Sequence, residues 1–185
     1  MKTGKKWISM GLVLLLVALS LSAVAENPVI EGILSAHAIK NYTEEAVSQE
    51  DLDLILAAGA QAPSARNLQP WRFIVVQNAE LVSQISRNGG TIIIIAGQQG
   101  AGAGMDVSFD CGLATQNMYL AAQSLGLGAN IVMSPLAAVN AMADTLCIPE
   151  GYEATMVLTI GHCETDAVTR ASPRNPVSDV TIYVP

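Results

Sequence analysis

The spacing of apolar positions changes period several times along the chain. Residues 7–25 carry no charge, and within them 8–19 is a run rich in Leu and Val. From there on the pattern predicts mixed helices and strands. Asn27-Pro28 reads as an N-cap followed by proline at the first helical position. The helix runs to about Ser35, with Val29, Ile30, Ile33 and Leu34 on one side. Ser48-x-x-Asp51 has the form of a capping box before a second helix, in which Leu52, Ile55 and Leu56 recur at helical spacing. Pro63 disfavours helical geometry in the residue before it, so that helix ends near Ala62. Residues 71–77 (WRFIVVQ) form a β-branched and aromatic strand. Asn78 caps a short helix over 79–87, which Gly89-Gly90 ends. Residues 91–96 (TIIIIA) are a continuous β-branched run, as in a strand buried on both faces.

The longest helical candidate is 106–125, stopped by Gly126-Leu127-Gly128. A strand over 129–133 follows. Ser134-Pro135 repeats the cap-plus-proline signature and opens a helix to about Leu146, closed by Pro149. Residues 154–161 (ATMVLTIG) form a fourth strand, and 181–184 is the candidate fifth. Strands and helices intermix without strict βαβ spacing. The prediction is an α+β domain with a single mixed or antiparallel sheet of four to five strands covered by helices.

The N-terminal run is an address rather than part of the fold. Lys2, Lys5 and Lys6 precede it, and Ala23-Val24-Ala25 follows as a small-x-small cleavage site. That order predicts a signal peptide over 1–25 and one domain over 26–185. The protein is then exported to the periplasm, the cell surface or the medium, with no stable membrane span after cleavage. The alternative is an uncleaved anchor, since 19 uncharged positions lie near the lower limit for a bilayer span.

Charge then narrows the partners. The chain has 16 acidic against 9 basic residues, net −7, and three of its nine cations lie in the first six residues. The six that remain are scattered, which excludes a nucleic-acid stripe. With 14% charged and 51% hydrophobic residues, intrinsic disorder is excluded as well.

Familiar catalytic constellations are absent. The two histidines, His37 and His162, have no serine in a G-x-S-x-G setting, and there is no H-E-x-x-H, calcium loop or Walker lysine loop. Cys111, Cys147 and Cys163 form no C-x-x-C pair, so no metal site is expected and they read as small buried hydrophobes. Residues 97–104 (GQQGAGAG) lack the spacing of a dinucleotide fingerprint and read as a flexible loop. Residues 62–73 (APSARNLQPWRF) are more informative. Two prolines, with Ser64 and Asn67 between them, present backbone groups and a carboxamide at the start of a strand. A carboxamide offers both donor and acceptor, which suits the edge of a flavin or pyrimidine ring. An Asx-type turn that satisfies its own backbone is the other reading, and local physics does not separate the two.

The pattern A-P-S-x-x-N-x-Q-P-W-x-F resembles a hallmark of the nitroreductase family of FMN-dependent oxidoreductases. His37-Ala38-Ile39-Lys40-Asn41-Tyr42, followed by Val47, is similar to that family's basic opening motif. The 110–128 helix with its LGLG end, Ile148-Pro149-Glu150-Gly151-Tyr152, Ile160-Gly161-His162 and Arg174-x-Pro176 resemble its later segments. The similarity covers about residues 27–184.

The resemblance implies a homodimer with FMN at the subunit interface. It implies a ping-pong reaction in which NAD(P)H delivers hydride to the flavin, which then reduces a nitroaromatic, quinone or similar small-molecule acceptor. The cofactor carries the chemistry, so no separate catalytic side chain is expected. The resemblance implies cofactor-binding positions at His37, Ala38, Lys40, Pro63, Ser64, Asn67, Gln69, Met133, Ser134 and Arg174. Lys40 is the cation near the flavin N1–C2 edge, Asn67 the carboxamide on its pyrimidine side, and Arg174 the phosphate partner. Met133 and Ser134 place backbone near N5, at the start of a helix whose N-terminus favours negative charge.

Two departures stand out. Ala36 and Ala38 replace the family's usual Arg and Ser, each lost charge-assisted bond being worth about 1.5–3 kcal/mol. The stretch between residue 87 and Asp110 is also short, which leaves the site open. A non-catalytic flavin or small-ligand binding protein that keeps the fold is therefore the alternative reading.

Overall fold

A computed structural model describes residues 27–101, 106–164 and 172–184. The predicted signal peptide and part of the glycine-rich 97–104 stretch lie outside the described residues. Among the described residues, no helix is long and apolar enough to cross a membrane. The chain divides into two compact units, residues 1–36 and 37–185. In the first, α1 (Pro28–Ser35) is capped by Asn27, whose Oδ1 accepts from the amides of Val29 (3.1 Å) and Ile30 (3.2 Å). Its Val29, Ile30, Ile33 and Leu34 are all exposed.

The second unit runs in the order α2 (Gln49–Ala60), a 3-10 turn (Ala65–Asn67), β1 (Trp71–Val76), α3 (Ala79–Ile85), β2 (Thr91–Gln98), α4 (Val107–Ser124), β3 (Gly128–Val132), α5 (Leu136–Ala141), β4 (Tyr152–Gly161) and α6 (Val177–Val180). Ser48 and Asn78 are caps that the sequence predicts, and Asp106 adds another. Ser48 accepts from Asp51 N, Asn78 from Leu81 N and Asp106 from Ser108 N, each meeting an amide that the first helical turn leaves unpaired.

The four strands form one antiparallel sheet in the order β1-β2-β4-β3, so β1 and β3 are its two edges. Successive side chains of a strand point to opposite faces. On one face Ile92, Ile94, Val157 and Val76 pack with Val82 and Ile85 of α3 and Val139 of α5. Ile93, Ile95, Leu158 and Ile160, which alternate with them, are equally buried. Helix α4 packs against β2, β3 and β4, and α2 packs on α4. Helices therefore cover both faces, which is why the TIIIIA run can be apolar throughout. Thr155 sits at a bulge in β4 and donates from Oγ1 to Ile95 O (3.0 Å).

Three expectations are corrected. The helix predicted from Ser134 to Leu146 spans only Leu136–Ala141; Pro135 occupies the cap position with no side-chain bond, and turns follow. Residues 181–184 are not a strand, since no strand pairs with them among the described residues. Of the three free cysteines only Cys111 is buried; Cys147 is exposed and Cys163 half-buried.

Candidate functional site

The predicted site residues lie on four segments. The first is a strap over residues 37–43 that crosses the end of the sheet where β3 begins and β4 ends. Ile39 N donates to Ala129 O (2.9 Å), Thr43 N to His162 O (2.8 Å), and Gln123 Nε2 of α4 to His37 O. Ile39 points inward, while Ala38 and Lys40 are exposed and His37 is half-buried. Tyr42 anchors the strap: its hydroxyl lies 2.7 Å from Ile39 O, 2.9 Å from Thr159 O and 2.9 Å from Thr159 Oγ1. Burial pushes this phenol up to about 12, against the opposing effect of the Thr159 bond.

The second segment is the loop carrying Pro63, Ser64, Asn67 and Gln69. Arg66, Asn67 and Gln69 all sit in the left-handed region, at φ 53°, 56° and 48°. Such non-glycine conformations cost about 1–3 kcal/mol each unless the surroundings hold them, and they concentrate at functional sites. The surroundings here are specific. Ser64 Oγ accepts from Gln69 N (2.9 Å), Ser64 O accepts from Asn67 N (3.0 Å), and the buried Asp110 carboxylate of α4 accepts from Ala65 N at 3.2 and 3.3 Å. The self-satisfied turn is met in part at Ser64, whose Oγ accepts from Gln69 N, whereas Asn67 Oδ1 accepts from the Gln69 side chain (3.2 Å). Asn67 and Pro63 are exposed, and Trp71, which follows, is buried and stacked on Phe73. Arg72, at a variable position of the motif, lies over the Tyr152 ring at 5.0 Å.

The third segment is the end of β3. Met133 and Ser134 are exposed, and Ser134 lines a cleft of about 530 Å³ together with Asn130 and Val132 of β3, Thr159 of β4, and Arg87 and Asn88 beyond α3. None of the described lining residues is acidic, although the chain is strongly so. Asn130 is only 6% exposed, and among the described residues its carboxamide has no hydrogen-bond partner. Its polar atoms reach the open cleft, which leaves them free to meet the polar edge of a ligand. Helix α5, at six residues, is too short for the dipole effect expected at Ser134. A second cleft, of about 540 Å³, lies between residues 43–46 and α3; it shares Ser86 and Arg87 with the first but holds none of the predicted site residues.

The fourth segment is the tail. Arg174 is exposed and donates to Ser172 O (3.1 Å). Its charge acts on Tyr119 of α4: burial raises that phenol, while a bond from Gln123 and the Arg174 guanidinium pull it down. The His37 carbonyl accepts from Gln123 of α4, and the Arg174 charge acts on Tyr119, one turn before it.

Within one chain these groups form two halves. The Asn67 loop leads into edge strand β1 and the cleft closes edge strand β3. Three strand spacings, about 14 Å, separate the two edges. Sequence reasoning missed Arg87, Asn88, Asn130 and Thr159, because each reads locally as an ordinary turn or strand residue. The one available signal was a polar Asn130 on a core-facing position of a β-branched strand. No group of three or more His, Cys, Asp or Glu residues suited to a metal occurs among the described residues.

Comparison with known proteins places this architecture. A family model described as "Nitroreductase family" matches residues 33–88 and 83–162. A protein of Archaeoglobus fulgidus, provisionally named as an NADH dehydrogenase/NAD(P)H nitroreductase, is 32% identical over 143 residues, covering 70% of this chain and 82% of that one. The crystal structure of a nitroreductase with bound FMN from Desulfitobacterium hafniense superposes with TM-score 0.76 at 25% identity, covering 86% of this chain and all of that one. A protein of Desulfovibrio desulfuricans, provisionally described as a nitroreductase and solved in complex with FMN, superposes at 0.73 with 30% identity, covering 86% and 98%. The chain therefore belongs to the nitroreductase family of flavin-dependent oxidoreductases.

Proposed function

We propose that this protein is an exported, homodimeric FMN-dependent NAD(P)H oxidoreductase that reduces nitroaromatic, quinone or similar acceptors. The observation that carries the reading is the acid-free cleft at the end of β3, which Ser134, Asn130 and Arg87 line together. Those groups fit an isoalloxazine, whose edge alternates donors and acceptors and whose reduced form is anionic. Bound there, FMN would supply the hydride chemistry that links NAD(P)H to the acceptor.

The chain's own residues bind and orient. Lys40, held on the strap, and Arg87 supply positive charge near the ring. Arg174, with His37 beside the same stretch of α4, holds the phosphate in place of the Arg and Ser that Ala36 and Ala38 lack. Asn67, fixed in a left-handed conformation, offers its carboxamide to the ring's pyrimidine side from a second copy, because its own cleft lies across the sheet. The exposed Val180, Ile182 and Val184 of the tail provide apolar surface for that second copy. Export rests on Lys5-Lys6, the apolar 8–19 run and Ala23-Val24-Ala25.

The test is direct. Purified protein with added FMN is expected to be yellow, and NAD(P)H added without oxygen is expected to bleach it. A colourless protein that ignores FMN would instead support the non-catalytic reading.

A further inference from the structure

We infer that Tyr42 is a positioning residue that fixes the Lys40 strap against the floor of the cleft; this rests on the FMN reading above. The ring of Tyr42 occupies a space that three glycines leave open. A Cβ at Gly90 would stand 2.8 Å from the ring, one at Gly128 3.1 Å and one at Gly161 2.9 Å. These glycines precede β2, open β3 and close β4, so the ring is seated on the ends of three adjacent strands.

The hydroxyl then links two parts of the site. A phenol has one proton and two lone pairs. Its proton goes to the carbonyl of Ile39, that of Thr159 or the Thr159 hydroxyl, and its oxygen accepts from that hydroxyl when the proton goes to a carbonyl, all within 2.9 Å. Thr159 Oγ1 also lies 3.3 Å from Asn130 O, and both Thr159 and Asn130 line the cleft. Ile39 immediately precedes Lys40, whose side chain is exposed. The Lys40 backbone is therefore set by the Ile39–Ala129 and Thr43–His162 bonds on either side and by the Tyr42 hydroxyl beneath. The ring supplies packing, and the hydroxyl supplies registration between strap and cleft.

The test is Tyr42→Phe, which keeps the ring in its cradle and removes only the hydroxyl. In FMN-free protein, amide exchange at Ile39 and Thr43 is expected to quicken about tenfold, the loss of one net hydrogen bond. In FMN-loaded protein, Lys40→Gln is expected to weaken binding and lower the flavin midpoint potential. The same change made on Tyr42→Phe should have less than half that effect, because the lysine is already misplaced. Unchanged exchange in Tyr42→Phe, or additive effects of the two substitutions, overturns the inference. If the parent takes up no FMN, the functional reading fails, and the exchange measurement alone decides the role of Tyr42.

Discussion

Asn130→Leu separates binding from stability in one substitution. The side chain is 6% exposed, faces the cleft, and has no hydrogen-bond partner among the described residues. Its polar atoms reach the open cleft, where water pairs them imperfectly at a residual cost of about 1 kcal/mol. Leucine has nearly the same shape and removes the polar atoms, so cofactor-free protein should gain about 1 kcal/mol. For a domain of this size that raises the melting temperature by about 2–4 °C. The same change deletes a hydrogen bond to bound FMN worth about 1–1.5 kcal/mol, which weakens binding roughly tenfold. Thermal melting without FMN and a fluorescence titration with it measure the two effects on one sample. A variant that melts lower than the parent while binding FMN equally well would refute the reasoning, because Asn130 would then be a structural amide. A gain in stability with a loss of affinity is the signature of a residue kept for its ligand.

Asn67→Ala and Arg174→Ala should each weaken FMN binding by about 1–3 kcal/mol in the same titration, the range for one buried or charge-assisted bond. Asp110→Ala leaves the Ala65 amide without its acceptor and releases the strained Arg66–Asn67–Gln69 conformation; a loss of about 2 kcal/mol in urea unfolding is expected, together with weaker FMN binding. Gly161→Ala puts a methyl 2.9 Å from Tyr42 Cβ and Cγ, where neither sheet nor ring has room to give. It should cost about 1–3 kcal/mol by thermal melting. Stability should also fall as pH rises from about 10 towards about 12. Unfolded tyrosine ionises near 10 while folded Tyr42 stays protonated to about 12, so the unfolded state releases the proton first and is favoured. Tyr42→Phe should remove about 2 kcal/mol of that alkaline loss, as followed by unfolding at pH 8, 10 and 11.5.

How far the fold can be read from sequence depends on where each constraint lies. Asn27, Ser48 and Asn78 announce their helices because capping is local, an oxygen meeting an amide two or three residues on. The TIIIIA run announces a central strand because burial on both faces leaves no polar position. Ser134-Pro135 misleads because proline also fits the cap position, and from Met142 the chain runs on as turns instead of extending the helix. Residues 181–184 look like a strand by composition, but a strand needs a partner edge, which no local pattern encodes. In the site, the Asn67 loop is legible as a motif and its strain is not. Gly90, Gly128 and Gly161 read as turn punctuation, whereas their common purpose, the seat of Tyr42, exists only once three strands are aligned.

The central claim is that one FMN site draws its loop from one copy and its cleft and tail from another. Co-refolding Asn67→Ala protein with Arg174→Ala protein and titrating the purified mixed dimer with FMN tests it. The account predicts one site per mixed dimer with the parent's affinity, since one of the two interfaces then has both native groups. Two weak sites and no restored one would contradict it, placing Asn67 and Arg174 in the site of a single chain.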